Sequence, residues 1–179
     1  MNPTPAHRPV PARRALPRPA PALVVLVVAW GVLGIAASFG VLPAMAWRMA
    51  GAVLALLALV DLARLLRAAV PDVARRVPDA LPLGIERDVV LELEPGARRQ
   101  RVDVHDLHPG GWDASGLPRT LALEPGMVAS VGYRLRPNAR GDFAFEGVHL
   151  RLHSPWRLWR RLCLGGTAQR VRVFPNFAP

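Results

Sequence analysis

The sequence predicts a transmembrane α-helical hairpin joined to an all-β domain, an antiparallel immunoglobulin-like β-sandwich. Three observations predict it. No charged residue lies between Arg18 and Arg48, and a second apolar run follows almost at once. Beyond residue 83, apolar and polar residues alternate in short runs set between proline and glycine turns. Residues 1–21 read as a disordered basic tail, 22–67 as the hairpin, 68–82 as a juxtamembrane linker and 83–179 as the β-domain.

The tail has prolines at positions 3, 5, 9, 11, 17, 19 and 21, with Arg8, Arg13, Arg14 and Arg18 among them. Proline at that density forbids a helix, and the segment has little apolar surface to bury. Residues 23–42, LVVLVVAWGVLGIAASFGVL, would make a helix of about 30 Å, the thickness of a hydrocarbon core. Residues 49–66, MAGAVLALLALVDLARLL, would add about 27 Å. Backbone groups in lipid must be satisfied within their own segment, so two such runs and a tight turn form a hairpin. Ala44-Met45-Ala46 has the spacing of a signal-peptidase site. The first apolar run is longer than a signal core and a second span follows directly, so the first span reads as retained.

Orientation comes from arginine. Arg8, Arg13, Arg14 and Arg18 precede the first span, Arg64, Arg67, Arg75 and Arg76 follow the second, and Arg48 alone lies in the turn. The positive-inside rule then places both termini in the cytoplasm, with two spans in the membrane. Trp47 and Arg48 suit the outer interface. Asp61 is the one acid in a span, and Arg64 lies three residues on along the same helical face. This predicts a local ion pair at the inner interface rather than a proton relay, since span one offers no acid or histidine.

The linker holds Pro71, Pro78 and Pro82, which exclude a long helix. Alternation then marks strands at residues 89–94, 102–105, 121–123, 131–136, 148–153 and 170–173. Period two is the signature of a half-buried strand. Turn signals separate them, among them Pro95-Gly96, Pro109-Gly110-Gly111, Pro125-Gly126 and Gly165-Gly166. Short antiparallel strands at this spacing predict the sandwich architecture.

No catalytic constellation emerges. His105 and His108 on a strand end do not share a face, and no third ligand has metal-site spacing. Asp113-Ala114-Ser115-Gly116 begins like the metal-binding loop of von Willebrand type A domains, but Leu117 occupies its fifth position. The chain has no lysine, so no phosphate-binding P-loop is possible, and the formal charge of +10 is all arginine. The single Cys163 has no visible activating partner and is expected to pack in the sandwich. The expectation is therefore a protein that is not an enzyme and uses neither cofactor nor metal. Trp156, Arg157, Trp159, Arg160 and Arg161 form an aromatic-basic cluster. Tryptophan and arginine are enriched in interface hot spots, so the cluster is read as a partner-protein surface rather than a nucleic-acid patch.

The order of parts is similar to a known family. Two close spans with an acid near the end of the second precede Leu-Pro-Leu-Gly-x-Glu-Arg at 81–87. Tyr-Arg-Leu-Arg-Pro at 133–137, Arg-Gly-x-Phe at 140–143, Gly-Val-His-Leu at 147–150, Ser-Pro-x-x-Leu-Trp at 154–159 and Val-Arg-Val-Phe-Pro-Asn at 171–176 follow. Together these resemble the N-terminal part of the bacterial domain-of-unknown-function family 58 membrane proteins. Trp156-Arg157 replaces the hydrophobic-glycine pair usual in that corner. The resemblance implies a following von Willebrand type A-like domain, which would make this chain a fragment or truncated subunit with its active portion lost or encoded separately. It also implies work beside MoxR-type AAA+ ATPases. The reading that results is a non-enzymatic, membrane-anchored scaffold whose partners are membrane lipid and protein. Nucleic acid and small-molecule substrates are not expected.

Overall fold

A computed structural model of the chain describes residues 8–9, 15–40 and 42–175. Pro21 opens the first helix, where its missing N–H costs nothing, and Pro43 stands at the N-cap of the second. These helices, α1 (Pro21–Ser38) and α2 (Ala44–Leu66), are both long and apolar enough to cross a membrane. Leu23 is the buried residue of α1, and Asp61 and Leu65 are those of α2. Nearly all their apolar side chains face outward.

The helices are held together by two tryptophans that exchange hydrogen bonds. Trp30 Nε1 donates to the Trp47 carbonyl (3.2 Å) and Trp47 Nε1 to the Trp30 carbonyl (3.1 Å). Their rings stack at 4.8 Å, within 3° of parallel. Trp47 therefore lies between the helices. Gly34 and Gly51 make room: a Cβ would lie 2.9 Å from the Trp47 ring at the first and 2.6 Å from the Trp30 ring at the second. Small residues at such crossings let helices approach closely in lipid.

Among the described residues, thirteen strands make up the rest. Two short ones precede the helices: β1 (Arg8–Pro9) and β2 (Arg18–Pro19). The tail expected to be disordered is thus strand-paired at Arg8–Pro9 and Arg18–Pro19, and residues 1–7 and 10–14 lie outside the described residues. Proline lacks a donor but is tolerated on a sheet edge, which is where β2 lies. After the helices come β3 (Asp72–Arg76), β4 (Ala80–Pro82), β5 (Arg87–Glu94), β6 (Gln100–Asp106), β7 (Asp113–Ser115) and β8 (Arg119–Leu123). Then follow β9 (Ala129–Arg136), β10 (Gly141–Phe145), β11 (Val148–His153), β12 (Trp159–Gly165) and β13 (Thr167–Phe174). The linker expected at 68–82 therefore contains two strands. Its prolines rule out a helix but not extended backbone, and Pro71 and Pro78 merely flank β3.

One sheet runs β2-β12-β11-β6-β8 and a second runs β3-β5-β9-β7. In the third, β13 pairs with β1, β10 and β4, the β4 pairing being parallel and the others antiparallel. Inward residues of β5, β6, β9, β11 and β13 form one apolar core with Phe145 and Trp112. The result is an all-β sandwich. Pro125-Gly126, with Gly126 at φ 75° and Met127 N–H donating to the Glu124 carbonyl (3.2 Å), makes the β8–β9 turn. A positive φ at this position is what glycine allows cheaply.

The core also holds a charge pair. Arg75 of β3 points inward, its side chain 2% exposed, and forks onto the fully buried Asp106. Arg75 Nε donates to Asp106 Oδ2 (2.9 Å) and Nη2 to Oδ1. Its remaining donors reach the carbonyls of Thr167 (3.2 Å) and Gly147 (3.1 Å), and Tyr133 Oη donates to Asp106 Oδ2 (2.5 Å). The guanidinium also lies 4.4 Å from the Phe145 ring centroid. A buried ion pair is tolerated when every charge is matched and hydrogen-bonded.

Burial, then the Asp106 charge and its hydrogen bond, push the Tyr133 hydroxyl above its ordinary value, against the pull of Arg75. Raised in the folded state, Tyr133 contributes stability that is complete below about pH 10 and is lost as pH rises beyond it. Tyr133→Phe should cost about 1–3 kcal/mol at pH 8. The wild-type advantage should shrink by about 1.4 kcal/mol at pH 11, measured by chemical unfolding of the detergent-solubilised chain. In the hairpin, Gly51→Ala displaces the Trp30 ring and should lower the unfolding midpoint, at a cost of about 1–3 kcal/mol.

Candidate functional site

Hairpin and sandwich meet where the C-terminal half of α2 touches the turn between β11 and β12. Ala58, Asp61 and Leu65 fall on one face of α2 because they are three and four residues apart. The turn begins at Ser154-Pro155 and closes with Arg157 N–H donating to the Ser154 carbonyl (2.9 Å). Arg157 sits at φ 61°, the left-handed region that glycine usually fills.

That shape makes an anion nest. Asp61 is fully buried and its carboxylate accepts from Ser154 Oγ (2.5 Å), Trp156 N–H (3.0 Å) and Leu158 N–H (3.2 Å). The positive φ between Trp156 and Leu158 brings both N–H groups to one acceptor, as nests do for anions. Ser154 Oγ in turn accepts from Trp159 N–H (2.9 Å). Trp159 Nε1 donates to the Ala58 carbonyl (2.9 Å), and Arg64 lies 4.7 Å from the Trp156 ring centroid. Beyond the helix, Arg161 Nη2 donates to the Ala68 carbonyl (3.2 Å) and Gln100 Nε2 to that of Ala69 (3.0 Å). Leading into α1, Ala20 N–H donates to the Leu158 carbonyl (2.8 Å). Both ends of the hairpin are fastened to the same corner.

The expected Asp61–Arg64 ion pair is therefore replaced by two other contacts. Asp61 turns to a loop 93 to 97 residues away, and Arg64 stacks on Trp156. A backbone nest offers a carboxylate three directed donors inside the fold, whereas a pairing along the helix would leave those N–H groups buried and unmet. The Trp-Arg cluster is likewise mostly an internal contact. Trp159 and Arg161 face the helix, Arg161 only 4% exposed, and Arg160 pairs in register with Arg18. Trp156, at 43% exposure, and Arg157 keep a face in solvent.

Other candidates separate. His105 and His108 stand with ring centroids 6.5 Å apart, and among the described residues no three His, Cys, Asp or Glu side chains converge as metal ligands. Asp113 accepts from Asn138 Nδ2 (3.2 Å), and Cys163 is buried opposite Leu150. Asp103 carries a polar cluster that the sequence did not single out: Thr120 Oγ1 donates to it (2.8 Å) and His153 Nε2 lies at 2.9 Å. Partial burial would raise its carboxyl, but the His153 and Thr120 hydrogen bonds and the charges of His153 and Arg151 hold it below the usual carboxylate value.

No protein-family model matches the chain, and no curated protein matches it. Among solved structures it is similar to the native conformation of E. coli alpha-2-macroglobulin, at 13% identity and a TM-score of 0.42 over 59% of this chain. That match spans 6% of the length of the macroglobulin. The CARDB domain of a Pyrococcus furiosus protein in complex with di-metal ions is matched at 12% identity and a TM-score of 0.36, covering 60% of this chain and 90% of that domain. A Niemann-Pick type C2 protein from the Japanese carpenter ant is matched at 7% identity and a TM-score of 0.30, covering 60% and 95%.

All three groups around Asp61 are donors, so an amide cannot substitute for the carboxylate. Asp61→Asn should be about as damaging as Asp61→Ala, each costing about 3 kcal/mol. Hydrogen exchange of the Trp156 and Leu158 amides should rise sharply in both variants. Arg157→Gly should have the opposite sign, stabilising by about 1 kcal/mol through relief of the left-handed conformation.

Proposed function

We propose that this protein is a non-enzymatic scaffold anchored in the bacterial inner membrane, its hairpin inserted with both termini cytoplasmic. The β-domain, immunoglobulin-like in architecture, stands against the inner leaflet and binds a partner protein. The observation that carries this reading is the grip of the Asp61 carboxylate on the β11–β12 corner. It fixes the attitude of the sandwich to α2, so that the opposite end and the open sheet edges are presented in one orientation. Strands β7, β8 and β10 each end a sheet, and all three residues of β7 are exposed. Unpaired backbone on such an edge accepts an extended segment of another chain. The partner class is a MoxR-type AAA+ ATPase, as the sequence resemblance implies.

Two measurements test the proposal. In spheroplasts, Ser115→Cys should react with a membrane-impermeant maleimide only after lysis, the native Cys163 being buried. Labelling of intact spheroplasts would put the sandwich outside and overturn the reading. In nanodiscs, the chain should bind a purified MoxR-type ATPase, and Ala114→Pro on β7 should weaken binding at least tenfold. No binding by the wild-type chain would remove the partner.

A further inference from the structure

A cavity of about 770 Å³ opens where α2 ends against the sandwich. Six arginines line it: Arg64 and Arg67 from the helix end, Arg98 and Arg99 from the β5–β6 turn with Arg101 at the start of β6, and Arg157 from the β11–β12 corner. Three separate parts of the chain thus bring guanidinium groups to one hollow. Opposing charge is scarce. Glu124 pairs with Arg99 at 2.8 Å, and both side chains are substantially exposed, so solvent screens the pair. Asp61 is buried behind the wall with its carboxylate committed to three donors. His153, also on the wall, faces Asp103. The floor is apolar where Leu65, Ala68 and Pro155 contribute.

We propose that this cavity binds the headgroup of an anionic phospholipid, and that the cluster of guanidinium groups selects a headgroup with two phosphates over one with a single phosphate. The inference rests on the membrane-anchored reading above and adds to it a specific lipid. Arginine forks match phosphate oxygens two at a time, and basic pockets beside spans on the cytoplasmic side hold such headgroups. A second feature points to lipid rather than to free phosphate or a polyanionic chain. Arg64 and Arg67 close the apolar run of α2, so the hollow lies at the level where a span would leave the hydrocarbon.

The test uses the whole chain in neutral phosphatidylcholine nanodiscs carrying a small fraction of either cardiolipin or phosphatidylglycerol, with bound lipid counted by native mass spectrometry. Cardiolipin should be retained at least tenfold better than phosphatidylglycerol. Arg67→Gln with Arg98→Gln should lose that retention at least tenfold. Arg119→Gln with Arg140→Gln, the same charge change outside the cavity lining, should leave it unaltered. Arg157→Gly supplies a variant expected to fold more stably yet bind more weakly. Equal loss in the cavity and control variants would mean diffuse charge attraction and overturn the site. So would retention that survives the cavity substitutions, or inorganic phosphate that displaces cardiolipin at millimolar concentration. Carbonate extraction separates this failure from that of the anchor. A chain that stays in the membrane pellet but ignores cardiolipin refutes the headgroup site alone, and one that is extracted refutes the membrane reading on which it rests.

Discussion

One buried carboxylate ties the two halves of this chain together. Asp61 carries a charge into a site with no exposure and takes no cation with it. A desolvated carboxylate costs several kcal/mol, and three directed hydrogen bonds offset that here. The requirement runs both ways. With an apolar residue on α2, the N–H groups of Trp156 and Leu158 would be buried against hydrocarbon side chains. The acid in the helix and the shape of the corner therefore have to occur together. The neighbouring contacts extend the same logic, since Trp159, Arg161 and Gln100 all donate to carbonyls in the C-terminal half of α2 or just past its end.

The sandwich repeats the device on its own account. Arg75 and Asp106 bury opposite charges in the core, and Tyr133 fills one more acceptor position of the carboxylate. Arg75 belongs to the segment that leaves α2, so this pair anchors the connecting chain to strands on the other side of the core. Junction and sandwich are each fixed by an acid whose donors come from distant parts of the sequence.

Those long separations explain what could be read from the sequence and what could not. Strands β5, β6, β8, β9, β11 and β13 announce themselves by strict alternation. Strands β3 and β12 do not, because an inward position in each is arginine: Arg75 in one, Arg161 in the other. A charge on the core face breaks the pattern that alternation depends on. Strand β7 is three residues long, fully exposed, and has no pattern to break. The tail carries prolines that exclude a helix, yet extended backbone with alternate donors missing still serves at an edge. At the junction, an acid inside an apolar run was enough to mark Asp61. Its partner was not legible, since a backbone N–H has no side-chain signature and the nearest arginine along the helix offered an easier answer. The Trp-Arg cluster stood out by composition, but the same residue types that grip another protein also grip a helix of their own chain. The direction in which they point is a property of the fold.

The pairing of β2 with β12 has a consequence for assembly. Described residues ahead of the first helix find their strand neighbours in β12 and β13, so this segment must wait until those strands have been made. During synthesis the margin of β12 does not yet exist, and the arginine-bearing leader has no sheet to join. Completion of that margin is a late event, and it draws the start of the polypeptide back alongside the place where the hairpin is clasped.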